Sequence, residues 1–246
     1  MGLSIEDRLK HFVPARLYYP YKVGKEKRRG EPELTILHDL VRTGCTAIDV
    51  GANRGYYSYA LAKFAKHVEA FEPNAALAQF ARRKLGSKVR VHQVAVANRD
   101  GQEKFYLPQT TIGIDSHLIG NLGNRYPTLE NVEYDVRVAT LDSFAFDNVG
   151  FIKIDVEGVE LAVIEGAKHT IARWQPNLVV ELLVDWHDAR SLIVEIINMI
   201  NYSAFILIDG QKIDAFEALT SARLAIKSYN VIFVPITIAR ADQAID

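Results

Sequence analysis

Ala47-Ile48-Asp49-Val50-Gly51-Ala52-Asn53-Arg54-Gly55 is the stretch whose reading decides the fold. A short apolar run ends in an acid, passes through a turn of small residues and opens into a helical pattern over Tyr56 to Phe64. That is a buried strand, a tight loop and a helix start. Glycines let backbone N–H groups approach a ligand closely, and a helix N-terminus favours negative charge. A dinucleotide fingerprint, G-x-G-x-x-G, needs glycine where a pyrophosphate presses on the backbone. Asn53 stands at the second of those positions, and the spacing closes at Gly55. An adenosyl cofactor joined to an amino acid fits this loop better. Its ammonium would meet an acid such as Asp49, and its carboxylate would meet loop N–H groups.

The next strand supports the same reading. His67 to Phe71 is short and ends in Glu72, placed to accept both ribose hydroxyls of a nucleoside. Outward from these two units, strands and helices alternate. Helical patterns are expected over 31–42, 56–65, 74–85, 158–173 and 188–201, and strands over 46–50, 67–71, 89–94, 133–140, 149–156, 178–184, 203–208 and 230–235. The Asp100-Gly101 step between two apolar runs predicts a hairpin. Alternation of this kind predicts one α/β domain, a Rossmann-like, mostly parallel seven-stranded sheet with helices on both faces and the final strand antiparallel. The domain is expected over 31–246, after an irregular N-terminal extension, 1–30, and with an irregular insertion at about 108–131 that is rich in Gly, Asn, Thr and Ser.

Ligands of open α/β sheets bind beyond the carboxyl ends of the strands. Asp49 with Asn53, then Glu72, then Asp155 with Glu157, then Glu181 with Asp185 and His187 stand at successive strand ends and point to one crevice. Glu181 lies inside the apolar run Leu178 to Val184, where an acid is paired or functional. The carboxylates around Asp155 are not spaced like a metal-binding loop, so no metal is expected. No G-x-S-x-G elbow and no P-loop occurs. The 246 residues carry a formal net charge of -1, which supplies no global field for nucleic acid. The single cysteine, Cys45, rules out an internal disulfide. With no long apolar run and a charged N-terminus, a cytoplasmic protein without membrane association is expected. The basic run Lys22, Lys25, Lys27, Arg28 and Arg29 reads either as a solvated segment or as a contact for phosphate or acidic glycan.

Five ordered motifs resemble the FkbM family of S-adenosylmethionine-dependent methyltransferases: AIDVGANRG (47–55), EAFEPN (69–74), VAVANRDG (94–101), ATLDSF (139–144) and FIKIDVEGVE (151–160). Gly166-Ala167 and PNLVVE (176–181) extend the likeness, which covers roughly 31–183. The resemblance implies a seven-stranded methyltransferase fold and, usually, O-methylation of a sugar or polyketide-like hydroxyl. It implies that S-adenosyl-L-methionine is held at its methionine part by Asp49, Gly51, Asn53 and Gly55 and at its ribose by Glu72, with Asp155 and Glu157 at the methyl end. Asp155, Glu181 and His187 are the candidates for a general base that assists the acceptor hydroxyl. Residues 1–30 and 108–131 match no family pattern, so the acceptor stays open. The alternatives are methylation of a protein or nucleic acid, and a non-catalytic cofactor-binding protein.

Overall fold

The computed structural model describes residues 12–29, 31–108, 120–122, 124, 128, 130–182, 186–220 and 229–236, with the side chains of 29, 186–189, 219, 220 and 229 outside the description. The main sheet has eight strands among these residues. They are β1 (Thr46–Val50), β2 (His67–Phe71), β3 (Val89–His92), β8 (Val149–Ile154), β9 (Asn177–Leu182), β10 (Tyr202–Ile208), β11 (Gln211–Asp214) and β12 (Tyr229–Pro235). Their spatial order is β11-β10-β12-β9-β8-β1-β2-β3. The five strands from β3 to β9 are parallel neighbours, and β12 runs antiparallel between β9 and β10. The α/β methyltransferase architecture expected from the sequence is present, including the antiparallel last strand. The eighth strand, β11, lies between the segments expected as strands over 203–208 and 230–235 and pairs with β10 across a turn at Asp209-Gly210.

Parallel strands covered on both faces must be apolar on both, and β8 is buried at all six positions. One apolar layer, including Ile48, Ile152, Val180 and Phe233, packs under α5 (Glu160–Glu165), α6 (Lys168–Trp174) and α7 (Trp186–Ile200). The other includes Ala47, Phe151, Val179 and Ile232 and packs under α2 (Leu37–Leu40), α3 (Tyr56–Leu61) and the chain before them. The helix expected over 158–173 is split between α5 and α6 at Gly166, where a Cβ would sit 2.0 Å from the Ala97 carbonyl oxygen. Helix α4 (Ala75–Lys84) starts where Asn74 accepts from the Ala76 and Leu77 N–H groups.

Three expectations are corrected. Residues Ala15–Arg29, expected to be irregular, form helix α1 despite Pro20. Tyr18, Tyr19 and Val23 are buried, Tyr19 stacks on Tyr59, and its hydroxyl donates to the Arg54 carbonyl at 3.0 Å. Tertiary packing of one face outweighs the poor helix propensity of Pro and Gly. The 31–42 segment is a short 3₁₀ turn (Pro32–Thr35) followed by the single turn of α2, not a continuous helix. The hairpin expected at Asp100-Gly101 does not form as such. Strand β7 (Asn131–Ala139) lies between β4 (Ala95–Val96) and β5 (Gly101–Pro108), in a second sheet of order β4-β7-β5-β6 with β6 at Asn121–Leu122. Most of the insertion expected at 108–131 lies outside the described residues.

Candidate active site

A cavity of about 270 Å³ opens beyond the carboxyl ends of β1, β2 and β8, with the second sheet as its far wall. Gly51, Asn53, Tyr56, Glu72, Asp155, Glu157 and Glu181 line it, with Phe71, Pro73, Leu77 and Val94 supplying an apolar side and Phe105, Asn121 and Leu122 reaching in from β5 and β6. Of the sequence-predicted residues the cavity therefore gathers Gly51, Asn53, Glu72, Asp155, Glu157 and Glu181, while Asp49 and Gly55 lie outside its lining. Asp185 lies outside the described residues. His187 falls in the first turn of α7, and its side chain lies outside the described residues.

The loop after β1 is built around Glu72. One carboxylate oxygen accepts from the Asn53 N–H at 2.8 Å and the other from the Asn74 N–H at 2.8 Å. Asn53 takes a left-handed φ of 52°, which its short polar side chain tolerates, and its Oδ1 accepts from the Arg54 N–H. Each Glu72 oxygen keeps a second acceptor site, because a carboxylate offers about four lone pairs. Burial pushes the Glu72 carboxyl up to about 7, and the two N–H donors pull against it. Gly51 carries φ 84°, and a Cβ there would stand 1.8 Å from the Asp155 carbonyl oxygen, so the loop and the end of β8 touch backbone to backbone.

Asp49 stands one layer deeper. It is 1% exposed, and its Oδ2 accepts from the Ser58 hydroxyl, which ties β1 to α3. Burial raises its carboxyl to about 6, with the Ser58 bond and Lys153 acting the other way. Gly55 forms the N-cap of α3 in a left-handed conformation, with Leu85 and Ala81 against it.

Asp155, just past the end of β8, and Glu181, in the adjacent parallel strand β9, line the cavity side by side. Two neighbouring carboxyls resist being ionised together. The protein around Asp155 drives its pKa upward by desolvation, Lys153 opposes, and Glu181 adds to the rise. The side chain still keeps 30% of its surface, so a ligand in the cavity can reach it. Glu157 also lines the cavity, whereas Glu160 turns back to accept from the Gly158 N–H at 3.0 Å. Among the described residues no group of three or more His, Cys, Asp or Glu side chains is arranged to hold a metal ion.

Sequence reasoning missed two cavity residues, Glu31 and Tyr56. They meet at 2.8 Å, the Tyr56 hydroxyl donating to Glu31 Oε1. Glu31 is the first residue of the segment read as a helix, just past the extension, and no local pattern marks it as a site residue. Tyr56 carried a signal, since it directly follows Gly55 in the loop.

The Methyltransferase FkbM domain matches residues 49–207. The chain belongs to the FkbM methyltransferase family. Among solved structures, this FkbM protein is similar to methyltransferase FkbM from Methylobacillus flagellatus KT, with 16% identity and a TM-score of 0.49 over 92% of this chain and 57% of that one. It thus spans a little over half the length of that relative. A Streptococcus mutans protein in complex with SAH superposes with a TM-score of 0.50 at 9% identity, covering 84% of this chain and 97% of that one. Precorrin-6y C5,15-methyltransferase from Geobacter metallireducens GS-15 shares 11% identity with a TM-score of 0.45, over 82% and 86% of the two chains. At these identities the likeness is one of fold. No curated protein matches the sequence. Among the described residues no helix is long and apolar enough to cross a membrane.

Proposed function

We propose that this FkbM-family protein transfers a methyl group from S-adenosyl-L-methionine to a hydroxyl of an uncharged sugar, glycan or polyketide-like small molecule. One observation carries the reading: a single cavity is lined both by the doubly held Glu72 carboxylate and by the neighbouring Asp155 and Glu181 carboxyls. The residues present fit the cofactor. Glu72 has two acceptor sites left for ribose hydroxyls, the close backbone approach at Gly51 leaves no side chain in the way, and Phe71, Pro73 and Leu77 offer an apolar bed for a base. Gly51, Asn53 and Tyr56 line the same wall and would receive the methionine part.

The cofactor supplies a methyl group on a sulfonium, and the chain supplies orientation and a proton acceptor. In-line displacement forms the acceptor O–C bond as the S–C bond breaks, so positioning provides much of the rate. The hydroxyl proton passes to the ionised member of the Asp155–Glu181 pair as the O–C bond forms. Described residues lining the cavity include five carboxyls and no Lys, Arg or His, which favours an acceptor without phosphate or carboxylate groups.

Incubation with methyl-labelled cofactor and fractionated cell extract tests the proposal. Label in a small-molecule or glycan fraction is expected. Label confined to protein or nucleic acid would transfer the activity to those acceptors, and calorimetry showing no binding of the cofactor or its demethylated product would end the catalytic reading altogether. Within the proposal, Asp155→Asn lowers turnover more than cofactor affinity, and Glu181→Gln lowers turnover or raises the acceptor KM in a folded protein.

A further inference from the structure

Lys153 occupies a position that strand β8 otherwise fills with apolar side chains. It is 1% exposed and ranks among the largest fully buried side chains of the protein. A buried ammonium is costly unless it is paired and hydrogen-bonded. Its Nζ donates to Asn230 Oδ1 at 3.2 Å, stands 3.6 Å from Asp155 Oδ2 and lies 5.5 Å from the centre of the Tyr57 ring. The other end of Asn230 donates from Nδ2 to Glu31 Oε2 at 3.3 Å. The chain of contacts thus runs from the floor of the site to its wall: Asp155, Lys153, Asn230, Glu31, Tyr56.

Sheet register explains why these groups meet. Asp49 lies opposite Lys153 across β1 and β8, and Glu181 lies opposite Asn230 across β9 and β12. Side chains at matched positions of neighbouring strands share a face. The charged groups facing Lys153 are Asp155, Glu31, Glu181 and Glu33, with Asp49 beside it on β1. Burial alone would lower the ammonium's pKa, but these acids raise it overall, so Lys153 is a permanent cation behind a wall of carboxyls.

We propose that Lys153 is a positioning residue for methyl transfer, holding Asp155 directly and Glu31 through Asn230, and so setting the pH at which the Asp155–Glu181 pair can take the acceptor's proton. The proposal rests on the methyltransferase reading above and goes beyond it. Lys153 does not line the cavity; it acts on the reaction only through its neighbours.

The experiment compares the wild-type chain with Lys153→Met and Asn230→Ala. It measures initial rates from pH 6 to 9 with labelled S-adenosylmethionine and the extract fraction that accepts label, and it measures cofactor affinity by calorimetry. Lys153→Met is expected to lose tenfold or more of the rate at pH 7 and to regain most of it by pH 9, because the pair then needs a higher pH to ionise. Cofactor affinity stays within about threefold. Asn230→Ala keeps the cation but frees it from Glu31, and it is expected to lose three- to tenfold at pH 7 with the same affinity. An unchanged pH profile, or a loss equal at every pH, overturns the proposal. If Lys153→Met does not fold, a wild-type rate in Asn230→Ala overturns it. Absence of cofactor binding by the wild-type chain is a separate result that removes the methyltransferase reading.

Discussion

Replacing Asp49 by asparagine isolates the cost of keeping an ionised carboxylate one layer below the cavity. Its carboxyl titrates at about 6 in the folded chain against an ordinary value of 3.8. At about 1.4 kcal/mol per pH unit, that gap is worth about 3 kcal/mol. Because the folded pKa is raised, the folded state binds the proton more tightly than the unfolded one. The contribution of Asp49 to stability is therefore full below pH 4, falls as pH rises from about 4 to 6, and stays low above. The amide has no such slope, and its oxygen still accepts from the Ser58 hydroxyl. The two proteins should be equally stable near pH 4, and Asp49→Asn should be more stable by up to about 3 kcal/mol at pH 8. Urea denaturation at half-unit pH steps reads the difference directly. Glu72, which also titrates high, cancels because it is present in both proteins. A difference that does not change between pH 4 and pH 8, or a less stable variant at pH 8, would refute the electrostatic argument. Calorimetry on the same samples separates two roles for Asp49. Affinity for S-adenosylmethionine within about threefold of wild type fits a buried brace, whereas a larger loss fits direct contact with the ammonium.

Gly51→Ala should destabilise by about 2–5 kcal/mol, combining a left-handed φ with a collision against the Asp155 carbonyl. Gly210→Ala, with φ 78° and open space around it, should cost only about 1–2 kcal/mol, and equal losses in the two denaturation curves would contradict the close approach. Ribose hydroxyls donating to Glu72 would lower its pKa from about 7, so cofactor affinity should rise with pH through that region, with release of a proton seen as a buffer-dependent binding enthalpy. Glu72→Ala should weaken binding by roughly 1–3 kcal/mol and abolish that proton release. Asn74→Ala should cost about 1 kcal/mol in thermal denaturation, through loss of the cap on α4.

Much of the cavity lining was legible because its parts are local. Gly51, Asn53 and Glu72 each announce themselves by following an apolar run, and the strand-end rule then places them together. Asp155 and Glu181 were found the same way. Glu31 and Asn230 were not, since one precedes the first strand and the other sits near the start of β12, far along the chain. Only the order β12-β9-β8 brings them to Lys153, and strand order is not written in any single segment. The interleaving of β7 between β4 and β5 was hidden for the same reason: an Asp-Gly turn looks alike whether or not a later strand slips between its arms. Helix α1 was obscured by Pro20 and Gly24, although Tyr19 and Val23 are spaced for one helical face.

The insertion of β12 between β9 and β10 has a consequence for how the protein is made. During synthesis β9 and β10 leave the ribosome before the strand that joins them. Until residues 229–235 arrive, both present open edges, and β9 is an almost continuous apolar run of Leu178, Val179, Val180 and Leu182. Such an edge is a template for pairing with another chain. The last of the described strands in sequence order is thus the one that seals the sheet, and it also carries Asn230, which meets Lys153. Closure of that seam and completion of the contacts behind the cavity therefore depend on one and the same strand.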